Sequence, residues 1–305
     1  MRRIMVLALL LVLAGCGGGD EEQADRGGTR TIPTAMGDVE VPAQPERVVV
    51  LDSGELDLAV SLGVKPVGLA TAEGAVEEVQ PYLADAVRGV PNVGTNIEPS
   101  LEKIAALEPD LIIGTKVRVE ALYDKLSGIA PTVLGETPAD WKANVALHGD
   151  AMGLADEAGA LMDRFDDRVG EIRDALGDPA DTSVAVVRFV PGEIRLYSPV
   201  SFVGSILHED IGLRMPRTAE RETKEINATL SLETLDRAAA DVMFTCAYGD
   251  PGATDQPAAE RLASWKRLPA VRSGDVHRVD DNIWMLGIGP MGAGLVLDDL
   301  ERTLT

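Results

Sequence analysis

The chain reads as an α/β protein: two similar lobes with mainly parallel sheets, one long rigid helix joining them, and a ligand cleft between. Three observations predict this. The stretches SLEKIAALEPDLII (Ser100 to Ile113) and SLETLDRAAADVMF (Ser231 to Phe244) align without a gap, 131 residues apart, with four of fourteen positions identical. A capping serine, a helix, an aspartate turn and a buried strand would produce that order in both. Near-continuous aliphatic runs such as Val48-Val49-Val50-Leu51 and Leu111-Ile112-Ile113 suit strands covered on both faces, as in a parallel sheet. Finally, Ala158, Leu161, Phe165, Val169, Ile172 and Leu176 recur at spacings of three and four, the apolar face of one helix. Run from Ala155 to Leu176, that helix is about 33 Å long, and Gly177-Asp178-Pro179 stops it.

The N-terminus reads as a processing signal. Arg2 and Arg3 precede an apolar run from Ile4 to Leu13, the length of a signal core and too short to span a bilayer. Leu13-Ala14-Gly15-Cys16 has the form of a bacterial lipobox, with small residues that fit a signal peptidase and a thiol that takes up diacylglycerol. Glycine and charge from Gly17 to Gly28 leave little to bury and suit a flexible tether. The expected divisions are a lipoprotein signal peptide over 1–15, acylated Cys16 with its tether over 16–44, and an N-terminal lobe over 45–141. A linking helical segment over 142–177 and a C-terminal lobe over 178–305 complete the chain.

Within the first lobe, strands are expected at Arg47–Leu51, Lys65–Leu69, Asp110–Thr115 and Thr132–Leu134, and helices at Glu55–Leu62, Leu101–Leu107 and Val119–Ser127. The second lobe opens with a strand at Ser183–Phe189, which Pro191-Gly192 turns into Glu193–Tyr197 as a hairpin. A helix at Phe202–Asp210, the Ser231 helix, strands at Asp241–Cys246 and Val276–Val279, and a closing helix at Gly292–Leu304 follow.

The formal charge of −22 becomes −24 once Arg2 and Arg3 are removed, which argues against nucleic acid and anionic lipid as partners. Cys246 is the one cysteine besides Cys16, so acylation of Cys16 leaves no intrachain disulfide. Neither G-x-S-x-G, the P-loop pattern nor H-E-x-x-H occurs. A carboxylate pair could still serve a lipid-anchored enzyme, and a sensor or adhesin could reuse a binding fold. His148, His208 and His277 show no ligand spacing, so no direct metal site is expected.

Several stretches resemble one family along most of the chain from Pro45 onward: PERVVVLDSGELDLAVSLGVKPVGL, EPSLEKIAALEPDLIIG, LYDKLSGIAPTV, VRFVPGEIRLYSPVSFVGSIL, SLETLDRAAADVMF and GPMGAGLVLDDL. The chain resembles the lipid-anchored substrate-binding proteins of ABC importers, in the cluster for ferric siderophores, haem and cobalamin. The resemblance implies a monomer on the extracytoplasmic face of the cell membrane that delivers a ferric siderophore to permease subunits. It implies no catalysis and no cofactor, with iron arriving only inside its chelator. Cobalamin or haem is the alternative ligand within the cluster.

The resemblance also implies roles for particular residues. Glu102 and Glu233, at matched places in the repeat, would pair with permease arginines, although a carboxylate in a first helical turn also favours the helix dipole. Arg188, after the apolar run Val184–Val187, and Arg118, after the strand ending at Thr115, would face each other across the cleft. Each could instead satisfy an internal carboxylate; as ligand groups, they would offer donors to anionic oxygens around iron. Trp284, in an expected loop after the last strand, would pack on the ligand or in the core, with Tyr197 and Phe202 as cleft walls. Trp141, at the entry to the linking helices, is expected to be structural.

Overall fold

The structure is a computed structural model and describes residues 28–72, 79–222 and 224–305. The expected signal peptide, Cys16 and the tether as far as residue 27 lie outside the described residues.

Folded structure begins earlier than Pro45. Strands β1 (Thr29–Thr34) and β2 (Gly37–Pro42) form an antiparallel hairpin that buries Ile32, Val39 and Val41. Alternation of those apolar residues with polar ones marks a half-buried ribbon, which the expected tether over 16–44 overlooked. Arg30 holds the hairpin to the body through the Asp150 carboxylate at 2.5 Å.

In the first lobe, β3 (Val48–Val50), β4 (Gly68–Thr71), β5 (Asn92–Thr95), β6 (Leu111–Thr115) and β7 (Thr132–Gly135) form a fully parallel sheet of order β5-β4-β3-β6-β7. Its helices are α1 (Ser53–Ser61), α2 (Leu101–Ala106), α3 (Lys116–Val119) and α4 (Tyr123–Ser127). The expected helix at 119–127 is thus broken, with a 3-10 turn at Glu120–Leu122 between α3 and α4. Next come α5 (Trp141–Ala151) and α6 (Ala155–Leu176), the latter with the bounds that the apolar periodicity implies.

The second sheet is mixed. Strands β8 (Val184–Val190), β9 (Glu193–Tyr197), β10 (Asn227–Leu230), β11 (Val242–Ala247) and β12 (Val276–Arg278) lie in the order β10-β9-β8-β11-β12. β8, β11 and β12 are parallel, whereas β9 and β10 run antiparallel to their neighbours. Pro191 has a fixed φ, and Gly192 adopts φ +78°, as the second corner of a tight turn requires. The helices are α7 (Phe202–Gly204, continued as a π-helical turn to Asp210), α8 (Arg217–Glu220), α9 (Gln256–Arg261), α10 (Ala263–Lys266), α11 (Pro269–Ser273), α12 (Asp281–Trp284) and α13 (Pro290–Leu304).

Two expectations need correction. The second copy of the repeat keeps its strand, β11, but replaces the helix with a 3-10 turn at Leu235–Ala238. Ser100 caps α2 by accepting the Lys103 N–H at 3.3 Å, whereas the Ser231 N–H donates to the Thr234 hydroxyl at 2.9 Å. Behind it the backbone closes i to i−3 bonds, Thr234 N–H to the Ser231 carbonyl and Arg237 N–H to the Thr234 carbonyl, which is 3-10 geometry. Likewise α13 belongs by chain order to the expected second lobe over 178–305, yet it packs against α1 and α6.

Asp57 ties that closing helix down. Its fully buried carboxylate accepts from the backbone N–H of Met291 (2.8 Å) and Gly292 (2.9 Å), and from the Tyr82 hydroxyl (2.8 Å). A carboxylate at a helix start satisfies amides that have no intrahelical acceptor. Burial pushes this carboxyl up to about 6, against the pull of its donors. Asp57→Ala should lower the unfolding free energy by about 3 kcal/mol, since one buried and two half-buried donors lose their acceptor. Urea titration measures it; a loss below about 1 kcal/mol would show that the tie is replaceable.

Candidate functional site

Every strand of the parallel sheet sends its C-terminal end towards one cleft between the lobes. Asp52 and Ser53 follow β3, Ala72 follows β4, Asn96 follows β5, Val117 and Arg118 follow β6, and Thr137 follows β7. This is the crevice an open α/β sheet leaves. From the opposite lobe come Arg188 of β8, Arg195 and Tyr197 of β9, and Phe202 of α7. Two adjoining cavities of about 370 and 720 Å³ share Arg118, Arg188 and Arg195.

A separate carboxylate backs each arginine. Arg188, 7% exposed, donates from Nε and Nη2 to Asp281 at 2.7 and 2.6 Å, and its Nη1 lies 3.4 Å from the Tyr197 hydroxyl. Burial pulls its guanidinium pKa down, but the Asp281 carboxylate more than offsets this, so the net shift is upward. The guanidinium also sits 4.9 Å from the Tyr248 ring centroid, a cation–π contact. Arg118 donates from Nε to Asp52 at 3.1 Å, and Asp52 also accepts from Asn96 at 3.0 Å. Arg195 pairs with Glu193 at 2.7 Å, and Thr229 donates to the other oxygen of Glu193 at 2.8 Å.

Arg188 and Arg195 stand directly opposite each other across β8 and β9. Like charges in that relation repel, which the two carboxylates relieve. Arg195 was missed in the sequence, although its signal was there. A two-residue turn at Pro191-Gly192 sets the register, and counting outward from it pairs 188 with 195.

The structure therefore brings Arg118, Arg188, Tyr197 and Phe202 together at the cleft. Trp284 reaches the back of the smaller cavity but is fully buried in α12, not in a loop. Its ring packs 4.6 Å from Phe244, and its Nε1 donates to Asp299 at 2.8 Å, so the indole is committed to the core. Trp141 makes edge contacts with Phe165 (5.1 Å) and Phe202 (5.5 Å), joining the linking helix to the cleft wall. Glu102 and Glu233 are exposed and lie outside the cleft; Glu102 is in the first turn of α2, and Glu233 precedes the 3-10 turn. Among the described residues, no group of three or more His, Cys, Asp or Glu side chains is placed to hold a metal.

Residues 48–283 match the family model described as periplasmic binding protein. The chain belongs to that family. This periplasmic binding protein is 38% identical over 309 residues to the Bacillus subtilis (strain 168) protein named "Probable siderophore-binding lipoprotein YfiY", covering 97% of this chain and 94% of that one. It is 30% identical over 264 residues to the achromobactin-binding periplasmic protein of Dickeya dadantii (strain 3937), covering 85% and 86% of the two chains. The crystal structure of Staphylococcus aureus SirA complexed with staphyloferrin B superposes at a TM-score of 0.82 with 33% identity, covering 90% of this chain and 98% of that one. The family and these relatives are substrate-binding transport proteins, and the chain is not an enzyme. Among the described residues, no helix is long and apolar enough to cross a membrane.

Behind the cleft floor, α1 buries a further carboxyl, Glu55, with Oε1 3.4 Å from His148 Nδ1. Burial, reinforced by neighbouring Asp52, pushes Glu55 up to about 8, and burial holds His148 down to about 4. The folded chain keeps the Glu55 proton to about pH 8, whereas the unfolded chain releases it near 4.5, so stability falls as pH rises through that interval. His148 has the opposite sign, costing stability as pH drops from 6.5 towards 4. Of Glu55, Asp57 and His148, only Glu55 still titrates between pH 6.5 and 8. Thermal stability should decline across that window, and Glu55→Gln should flatten the decline. An unchanged slope in the variant would assign it to another group.

Proposed function

We propose that this chain captures a ferric siderophore outside the cytoplasm and delivers it to the permease of an ABC importer, held at the membrane by a lipid on Cys16. The observation that carries the reading is the convergence of Arg118, Arg188 and Arg195, from both lobes, on one cleft. A ferric chelate presents several anionic oxygens on one rigid surface, and guanidinium groups offer planar sets of donors for them. Each guanidinium has five N–H donors, and its carboxylate partner here takes only one or two, so donors remain for a ligand. The relative named for binding achromobactin and the solved relative in complex with staphyloferrin B support a siderophore as the cargo.

The chelator supplies every ligand to its iron, so the protein needs none of its own. Exposed Glu102 and Glu233, one on each lobe, suit pairing with two basic sites on a two-fold permease. A "lipoprotein" name on the Bacillus subtilis relative is consistent with an anchor at Cys16.

Calorimetric titration of the mature chain with ferric citrate, hydroxamate and catecholate complexes tests the reading. Saturable binding of one ferric complex, absent for its iron-free form, is the expected result; binding only of cobalamin or haem would refute it. Arg195→Ala should weaken binding about tenfold, one charge-assisted hydrogen bond, with little change in stability. Arg188→Ala should lose both affinity and stability, because Asp281 would then be left buried and unpaired. The double variant Glu102→Ala with Glu233→Ala should keep full affinity yet abolish radio-iron uptake by cells; lost affinity would place those residues in ligand binding.

A further inference from the structure

The cleft is not uniform along its length. On one side of the three arginines, the larger cavity continues over Glu193 and Tyr248, with Ile97, Val190 and Pro191 beside them. On the other, the smaller cavity continues over Val117, Pro138, Phe202, Val203, Ile226 and Ile288. The arginines stand where the two cavities meet, so a ligand filling both meets charge at its middle and a mainly apolar wall on the smaller side.

Val117 and Ile226 stand out in that apolar half. Among the described residues, they are the large hydrophobic side chains left exposed, at 62% and 44%. Elsewhere the described fold covers such side chains, and these two line the same cavity from opposite lobes. Val117 directly precedes Arg118 in α3. Ile226 directly precedes β10, and its carbonyl accepts the Ser198 N–H at 3.0 Å, so its backbone is held while its side chain stays bare. An exposed β-branched side chain gains free energy when apolar surface covers it, and its stiff χ1 makes it a well-placed wall.

We propose that Val117 and Ile226 form a two-sided apolar clamp on the hydrocarbon part of the cargo. The ligand class this selects is an anionic ferric chelate whose iron-binding head groups are joined by a hydrocarbon linker. The head groups sit on the arginines, and the linker runs between Val117 and Ile226. This inference rests on the ferric-chelate reading above.

The test compares two ferric complexes of similar oxygen chemistry: ferric citrate, without a linker, and the ferric complex of two citryl groups joined through a four-carbon diamine. Both are titrated into the mature chain and into the Val117→Thr, Ile226→Thr double variant, which keeps β-branching at both exposed positions. The wild-type chain should prefer the linked chelate. The variant should lose about tenfold in affinity for it and less than about twofold for ferric citrate. Equal losses for both chelates, or none for the linked one, overturn the clamp while leaving ferric-chelate binding intact. Unchanged affinity with reduced cellular iron uptake overturns it as well, by assigning the pair to permease contact. Failure of the wild-type chain to bind any ferric complex, linked or not, removes the ferric-chelate reading and the clamp together.

Discussion

The pair between Arg188 and Asp281 is the contact on which the second half of the molecule depends. A guanidinium at a buried strand position must be met by an opposite charge, and Asp281 meets it from α12 with two short bonds. Placing Asp281 places α12, which seats Trp284 against Phe244. The Trp284 indole then reaches Asp299 of α13, and the start of α13 is held by Asp57 of the first lobe. A chain of polar contacts thus runs from the cleft arginine to the helix that fastens the lobes together.

The same requirement explains the electrostatics of the cleft. Arg118, Arg188 and Arg195 each carry a dedicated carboxylate, so the cleft gathers donors without accumulating a large positive charge. Attraction for an anion then comes from directed N–H groups at short range, within a chain of formal charge −22. Such a site favours ligands whose anionic oxygens match the donor positions over any simple anion.

The first lobe carries its own buried carboxyls on one short helix. Asp52 caps α1 and braces Arg118, Glu55 faces His148, and Asp57 receives the amides of α13. Three acids so close together would be costly in a core, but Asp52 and Asp57 each have their own donors, and burial keeps Glu55 protonated. Protonation of Glu55 removes one charge that Asp52 would otherwise repel.

The sequence by itself determined the alternation of elements, the 22-residue span of α6 and the place of the crevice at the strand ends, because local periodicity and stop signals carry them. It also contained the pairing of Arg188 with Arg195, since a two-residue turn fixes hairpin register. Other features depend on contacts far apart in the chain. Asp281 lies 93 residues from Arg188, and Asp57 lies 234 from Met291, and no local pattern announces either partner. The sequence leaves Trp284 open to the ligand or the core, and only the packing of Phe244 and Asp299 around it puts the indole in the core. The repeat foretold two strands and two helices, but at the second the backbone closes i to i−3 bonds and forms a 3-10 turn. The sequence thus specified elements whose stabilising contacts are near neighbours, and the tertiary structure decided those whose charges and rings find partners only after the lobes come together.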